Sequence, residues 1–235
     1  MSGCNCKFGD YVRYIPELTE YIVTPEESGY SHPQSFNPSE NTLWKVFYEE
    51  EGNEILLISA RSIGTLTLEG QIGFANGVGA LNRLCSAYAN LKVAVGGRSI
   101  GCTENSISEL KVETCCCDWV KNASPTERQP YDEKECEEDL SWLRCSGLMK
   151  KSNRYVWLAS RHSEESLFHT MHFGMSAWNG CRDEKETVCL YKSYPAGGGY
   201  SYRASYGVRP VIRLRCDARF GFGAGSKERP YVFLE

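Results

Sequence analysis

Two short blocks early in the chain, WKVFYEE at 44–50 and EILLISA at 54–60, are rich in apolar residues and read as strong strands. Gly52-Asn53 lies between them, so the pair predicts a β-hairpin. KFGDYVRYI at 7–15 alternates polar and apolar, the period of two that marks a strand with one buried face, and predicts a first strand. The stretch that follows carries Pro25, Gly29, Pro33 and Pro38 and reads as an irregular excursion.

The period changes at 73–90, GFANGVGALNRLCSAYAN. Phe74, Val78, Leu81, Leu84, Cys85 and Tyr88 recur at helical spacing and predict an amphipathic helix. Glycines weaken its first half and place the start nearer Val78. A second short helix is predicted around 104–111, with Thr103 or Ser106 as its cap. Residues 113–153 read as an insertion, rich in Cys, Glu, Lys and Asp and broken by Pro125 and Pro130. Cys136, Leu140 and Leu143 form one stripe there, on a short helix packed against the domain.

Beyond 154 the pattern turns to β. In YVWLAS at 155–160, Tyr155, Trp157 and Ala159 alternate with Val156 and Leu158, so both faces of this strand are predicted to be covered. Short strands fit 168–176 and 186–192. GVRPVIRL at 207–214 reads as another strand, with Pro210 putting it at a sheet edge or a bulge. YVFLE at 231–235 predicts a terminal strand. Trp44, Leu57, Leu81, Leu84, Trp157, Leu158 and Val211 are the predicted core.

The chain has 235 residues and 41% hydrophobic residues, enough for one large domain with its own core. The formal net charge is -4, with no basic stripe, which argues against a nucleic-acid partner. No apolar run is long enough to insert in a membrane. The start of the chain lacks the apolar core of a secretion signal, so the expected location is cytoplasmic or virion-associated. The 12 cysteines pull the other way. Disulfides, free thiols and a zinc site are all open on count alone, but no CxxC pair is present and Cys115-Cys116-Cys117 is awkward for three bridges. Cys85 sits on the apolar helix face and reads as a buried free thiol.

No catalytic, cofactor or phosphate-binding motif is found. His162, His169 and His172 lack a carboxylate or thiolate at fixed spacing, so no metal is assigned to them. Gly96-Gly97-Arg98 is too short to indicate a phosphate loop. Arg209 reads as a structural guanidinium, Trp157 as core and Glu49-Glu50-Glu51 as a solvated hairpin tip. The candidate ligand-binding residues are Trp178, Asn179, Tyr191, Tyr194, Tyr200, Tyr202, Arg203 and Tyr206, in a Gly-, Ser- and Tyr-rich stretch between two strands. Trp178, Tyr200, Tyr202 and Arg203 lead the set. Tyr, Trp and Arg are the types enriched where binding energy concentrates.

The blocks FGDYVRY, WKVFYEEEGNEILLISA, GFANGVGALNRLC, GRSIGCTENSI, YVWLASR and YGVRPVIRL resemble, in order and spacing, a domain of unknown function from gut Firmicutes and their phages. The last two also resemble the C-type-lectin-like fold. That fold includes the variable proteins of diversity-generating retroelements and, more distantly, the formylglycine-generating enzymes. The resemblance implies an α+β domain spanning 1–235: a small twisted antiparallel sheet, two flanking helices, paired N- and C-terminal strands and a loop-rich C-terminal binding face. It implies a non-enzymatic module that displays this face to a protein or glycan on a cell surface. A structural virion protein and an oxidase using Cys181 and Cys189 are the alternatives.

Overall fold

The computed structural model describes residues 6–50, 54–100, 155–164, 170–178, 183–193 and 198–234. The predicted helices near 104–111 and within 113–153, and the Gly52-Asn53 turn, lie outside these residues. The described chain is mixed α and β, with many strands and two α-helices.

Strands β1 (Tyr11–Arg13), β4 (Leu43–Glu50) and β5 (Glu54–Ser59) form where the sequence predicts them, and Ile55 to Ile58 are all buried, so β5 is covered on both faces there. β4 and β5 pair antiparallel as the hairpin, with an irregularity between Val46 and Tyr48. β2 (Tyr21–Val23) and β3 (Gln34–Phe36) form a separate ribbon inside the proline-rich excursion. Helix α1 (Pro25–Ser28) lies between them. Its start combines a Thr24/Glu27 capping box with Pro at the first position.

Helix α2 (Gly70–Ser86) begins well before Val78. Its glycines serve contact rather than stability. A Cβ on Gly73 would lie 2.8 Å from the Ser28 carbonyl oxygen, so a bare backbone is what lets α1 sit against α2. The Arg83–Glu27 ion pair, 2.7 Å, fastens the same contact. All six residues of the predicted apolar stripe are buried.

The strands assemble into two large sheets. β6 (Thr65–Glu69), β8 (Tyr155–Glu164), β9 (Thr170–Trp178), β10 (Asp183–Ser193), β11 (Gly199–Ser201) and β12 (Arg203–Gly207) form one, in the order β11-β10-β9-β8-β12-β6. β7 (Ala94–Arg98), β13 (Val211–Leu214), β14 (Arg219–Gly221) and β15 (Tyr231–Leu234) join β1, β4 and β5 in the other, in the order β14-β15-β1-β4-β5-β13-β7. The first and last strands, β1 and β15, pair as expected, but in parallel. β12 and β8 are parallel too, so the sheets are larger and less uniform than one small antiparallel sheet.

The string GVRPVIRL is not one strand. Gly207 ends β12 in one sheet and Val211 starts β13 in the other. Val208-Arg209-Pro210 is the crossing between them. Pro210, without an N–H, stands just before β13, which is interior in its sheet and not at an edge. Arg209 holds the crossing. It is buried, and its Nε and Nη2 donate to the Ser59 carbonyl at 3.0 and 2.6 Å.

Trp44, Leu57, Leu81, Leu84 and Trp157 belong to one buried cluster that takes residues from both large sheets and α2. Leu158 and Val211 are also buried but stand outside that cluster. Val156 through Ala159 are all buried, so this part of β8 is covered on both faces, as the sequence predicts. Among the described residues no helix is long and apolar enough to cross a membrane.

Candidate functional site

A single residue, Tyr202, joins β11 to β12. In the sheet order those two strands are separated by β10, β9 and β8. Flat strands at that separation would stand about 19 Å apart, from a spacing of about 4.8 Å per strand. One residue spans no more than about 7 Å between its flanking Cα atoms. The sheet therefore curls until its β11 edge returns to β12. The Tyr202 backbone closes the curl: its N–H donates to Leu190 O at 2.9 Å, and its C=O accepts from Gly70 N at 3.1 Å.

Gly70 opens α2 with φ of 62°, and a Cβ there would lie 2.9 Å from the Ser201 hydroxyl. Gly199 is equally constrained, since a side chain would run into the Tyr191 hydroxyl and the Lys192 carbonyl. The segment 199–203 is thus pinned through its main chain. Tyr200 is 60% exposed and Tyr202 43%. Arg203 is exposed as well.

β12 sorts its side chains by parity. Ala204 and Tyr206 stand opposite Leu68 and Leu66, on the core side. Tyr206 is half-buried, edge-on to Trp157 at 4.7 Å and tilted against Tyr155 at 5.7 Å. Arg203 and Ser205 stand opposite Glu69 and Thr67 on the outer side, where the Ser205 and Thr67 hydroxyls are 2.8 Å apart.

The outer row extends to residues that the sequence pattern did not single out. The Arg203 guanidinium lies over the Tyr30 ring, 5.6 Å from its centroid. The His32 ring meets Tyr30 edge-on at 5.6 Å. Gly29, at φ of 73°, ends α1 and turns the chain so that Tyr30 reaches this position. The available signal was two aromatic residues in a Pro- and Gly-rich turn, Gly29-Tyr30-Ser31-His32-Pro33.

Of the predicted ligand-binding residues, Tyr200, Tyr202 and Arg203 are exposed. Tyr191 and Tyr206 are half-buried and pack against the core. Trp178 is the last residue of β9, paired in register with Asp183. Asn179 and Tyr194 lie outside the described residues.

Cys189 is half-buried, burial pushes its thiol pKa up, and its Sγ lies 3.3 Å from Tyr191 O. A thiol held protonated is a weak nucleophile. Cys181, its proposed redox partner, lies outside the described residues, as does His169. His162 and His172 are direct partners across β8 and β9. Among the described residues no group of three or more His, Cys, Asp or Glu is placed to hold a metal ion. Burial lowers the Arg209 pKa to about 10, and its Nε and Nη2 donate to the Ser59 carbonyl in the interior.

No known protein family, curated protein or solved structure matches this chain.

Proposed function

We propose that this protein is a non-catalytic ligand-binding module of C-type-lectin-like organisation, which presents Tyr200, Tyr202 and Arg203 to a protein or glycan on a cell surface. The carrying observation is the pairing of outward Tyr200, Tyr202 and Arg203 with a backbone fixed at Leu190 and Gly70. Rigid tyrosines on an ordered backbone lose little entropy on binding. Arg203, stacked on Tyr30, is already held in place and keeps its charge available to a partner. The paired first and last strands and the single long helix among the described residues support the fold assignment.

The test is binding of the fluorescently labelled protein to intact bacterial cells. Saturable binding that protease or periodate treatment of the cells removes supports the reading and tells a protein ligand from a glycan. Binding unchanged by Tyr200→Ser, Tyr202→Ser and Arg203→Ser together overturns the placement of the site.

A further inference from the structure

A concave site lined by none of the aromatic-face residues lies between β3 and the free edge of β6. It is a groove of about 510 Å³, lined by residues 35–37, 40–43 and 61–65. That volume is in the range of small-molecule sites. Three features set its chemistry.

The first is a main-chain edge. β6 ends its sheet, and Leu66 and Leu68 stand opposite Tyr206 and Ala204 of β12. The Thr67 N–H and C=O point the other way. They are taken by the side-chain amide of Gln34, at 2.7 and 3.0 Å. Thr65 has the same parity as Thr67, so its N–H and C=O also face the open edge. Thr65 itself lines the groove.

The second is a pair of opposite charges. Arg61 and Glu40 both line the groove and both are exposed. Glu40 accepts from Asn37 Nδ2 at 3.2 Å. Arg61 has no ion-pair partner among the described residues, and the two do not pair with each other. The third is Asn41. Its Oδ1 accepts from the Ser59 hydroxyl at 3.4 Å, while its Nδ2 is buried without a hydrogen-bond partner. A buried polar group left unpaired invites an explanation, and a bound acceptor is one.

We propose that this groove binds a short zwitterionic peptide in extended form. Its carboxylate meets Arg61, whose fork matches that group in two parallel hydrogen bonds. Its ammonium meets Glu40. Its amide bond pairs with the Thr65 edge, as an added strand would. Gln34 blocks that edge at Thr67, which limits the ligand to two or three residues. Phe36 and Gly64 both line the groove in close contact, since a Cβ on Gly64 would lie 3.0 Å from the Phe36 ring.

The experiment titrates ¹⁵N-labelled full-length protein with L-Ala-L-Ala and L-Ala-L-Ala-L-Ala at millimolar peptide, followed by amide chemical shifts. The expected result is a saturable shift at the Thr65 amide and the Asn41 side-chain amide. N-acetylation of the peptide, C-amidation, Arg61→Gln and Glu40→Gln should each weaken binding by about tenfold or more. Both substitutions are of exposed residues, and an unchanged melting curve for each variant guards against misfolding. No shift at Thr65 with either peptide overturns the proposal. So does binding indifferent to either cap, because both charges are required. The aromatic face takes no part, so loss of cell binding and loss of peptide binding are separable results.

Discussion

Trp157 on β8 donates its indole N–H to the Leu66 carbonyl of β6 at 2.8 Å. β12 lies between those two strands, so the indole reaches past its immediate neighbour. On the way it meets Tyr206 of β12 edge-on. One side chain therefore ties three strands behind the outward row of Arg203 and Ser205. Its sequence alternation shows burial but cannot show this reach.

Trp157→Ala should cost roughly 3–5 kcal/mol, the usual range for removing a buried aromatic. Trp157→Phe keeps most of the packing and loses the donor, so about 1–3 kcal/mol is expected. Urea unfolding of the two variants separates packing from the hydrogen bond. A Trp157→Phe loss near zero would mean that the hydrogen bond carries nothing, and equal losses would mean that the ring packing carries nothing.

Tyr14 and Tyr88 give a contrast within one cluster. Both are buried, and burial pushes both phenol pKa values up. Tyr14 donates to Tyr88 O at 3.0 Å and accepts from Asn90 N. The Tyr88 hydroxyl is buried with no hydrogen-bond partner. Tyr14→Phe should therefore destabilise by about 1–3 kcal/mol, while Tyr88→Phe should be neutral or stabilising. Thermal melts of the two variants decide this.

The same pair sets an alkaline limit. A phenol whose folded pKa is raised stays protonated in the folded state while the unfolded chain ionises near pH 10. Its contribution is fully present below pH 10 and is lost above it, as the unfolded state gives up protons first. Unfolding free energy should fall as pH rises past 10. Tyrosinate absorbance should show these two phenols ionising only with unfolding, which a parallel circular-dichroism titration would reveal.

The strands and helix that were legible in the sequence are those with a strong apolar run or a clean period: 44–50, 54–60, the stripe from Phe74 to Tyr88, and Tyr155 to Ala159. Periodicity reports which side of an element is buried. It cannot report a change of sheet, so Val208-Arg209-Pro210 read as the middle of one strand. Nor does it show what a glycine is for, so Gly73 read as a weakness when it is a point of close approach to Ser28. The exposed trio Tyr200, Tyr202 and Arg203 was visible in composition. Tyr30 and His32 were not, because the fold brings them from a distant turn whose own sequence has no period.

Thiol accessibility follows the burial pattern. Cys6 and Cys85 are buried and Cys216 is exposed, all as free thiols. Alkylation without reductant should label Cys216 first, and Cys6 and Cys85 only after unfolding. Peptide mass spectrometry reads the order. A disulfide at Cys85 would contradict the packing of α2 against the core.

The central claim is that the outward face binds and does not merely cover the sheet. Its most direct test is the triple variant Tyr200→Ser, Tyr202→Ser, Arg203→Ser, with melting and cell binding measured on one preparation. Exposed substitutions usually change stability by about 0.5 kcal/mol each, and loss of the Arg203–Tyr30 contact adds about 0.5–1 kcal/mol. The account predicts a folded protein less stable by no more than about 2.5 kcal/mol, with cell binding abolished. A variant that unfolds would place these side chains in the core. A variant that folds and still binds would place the ligand elsewhere.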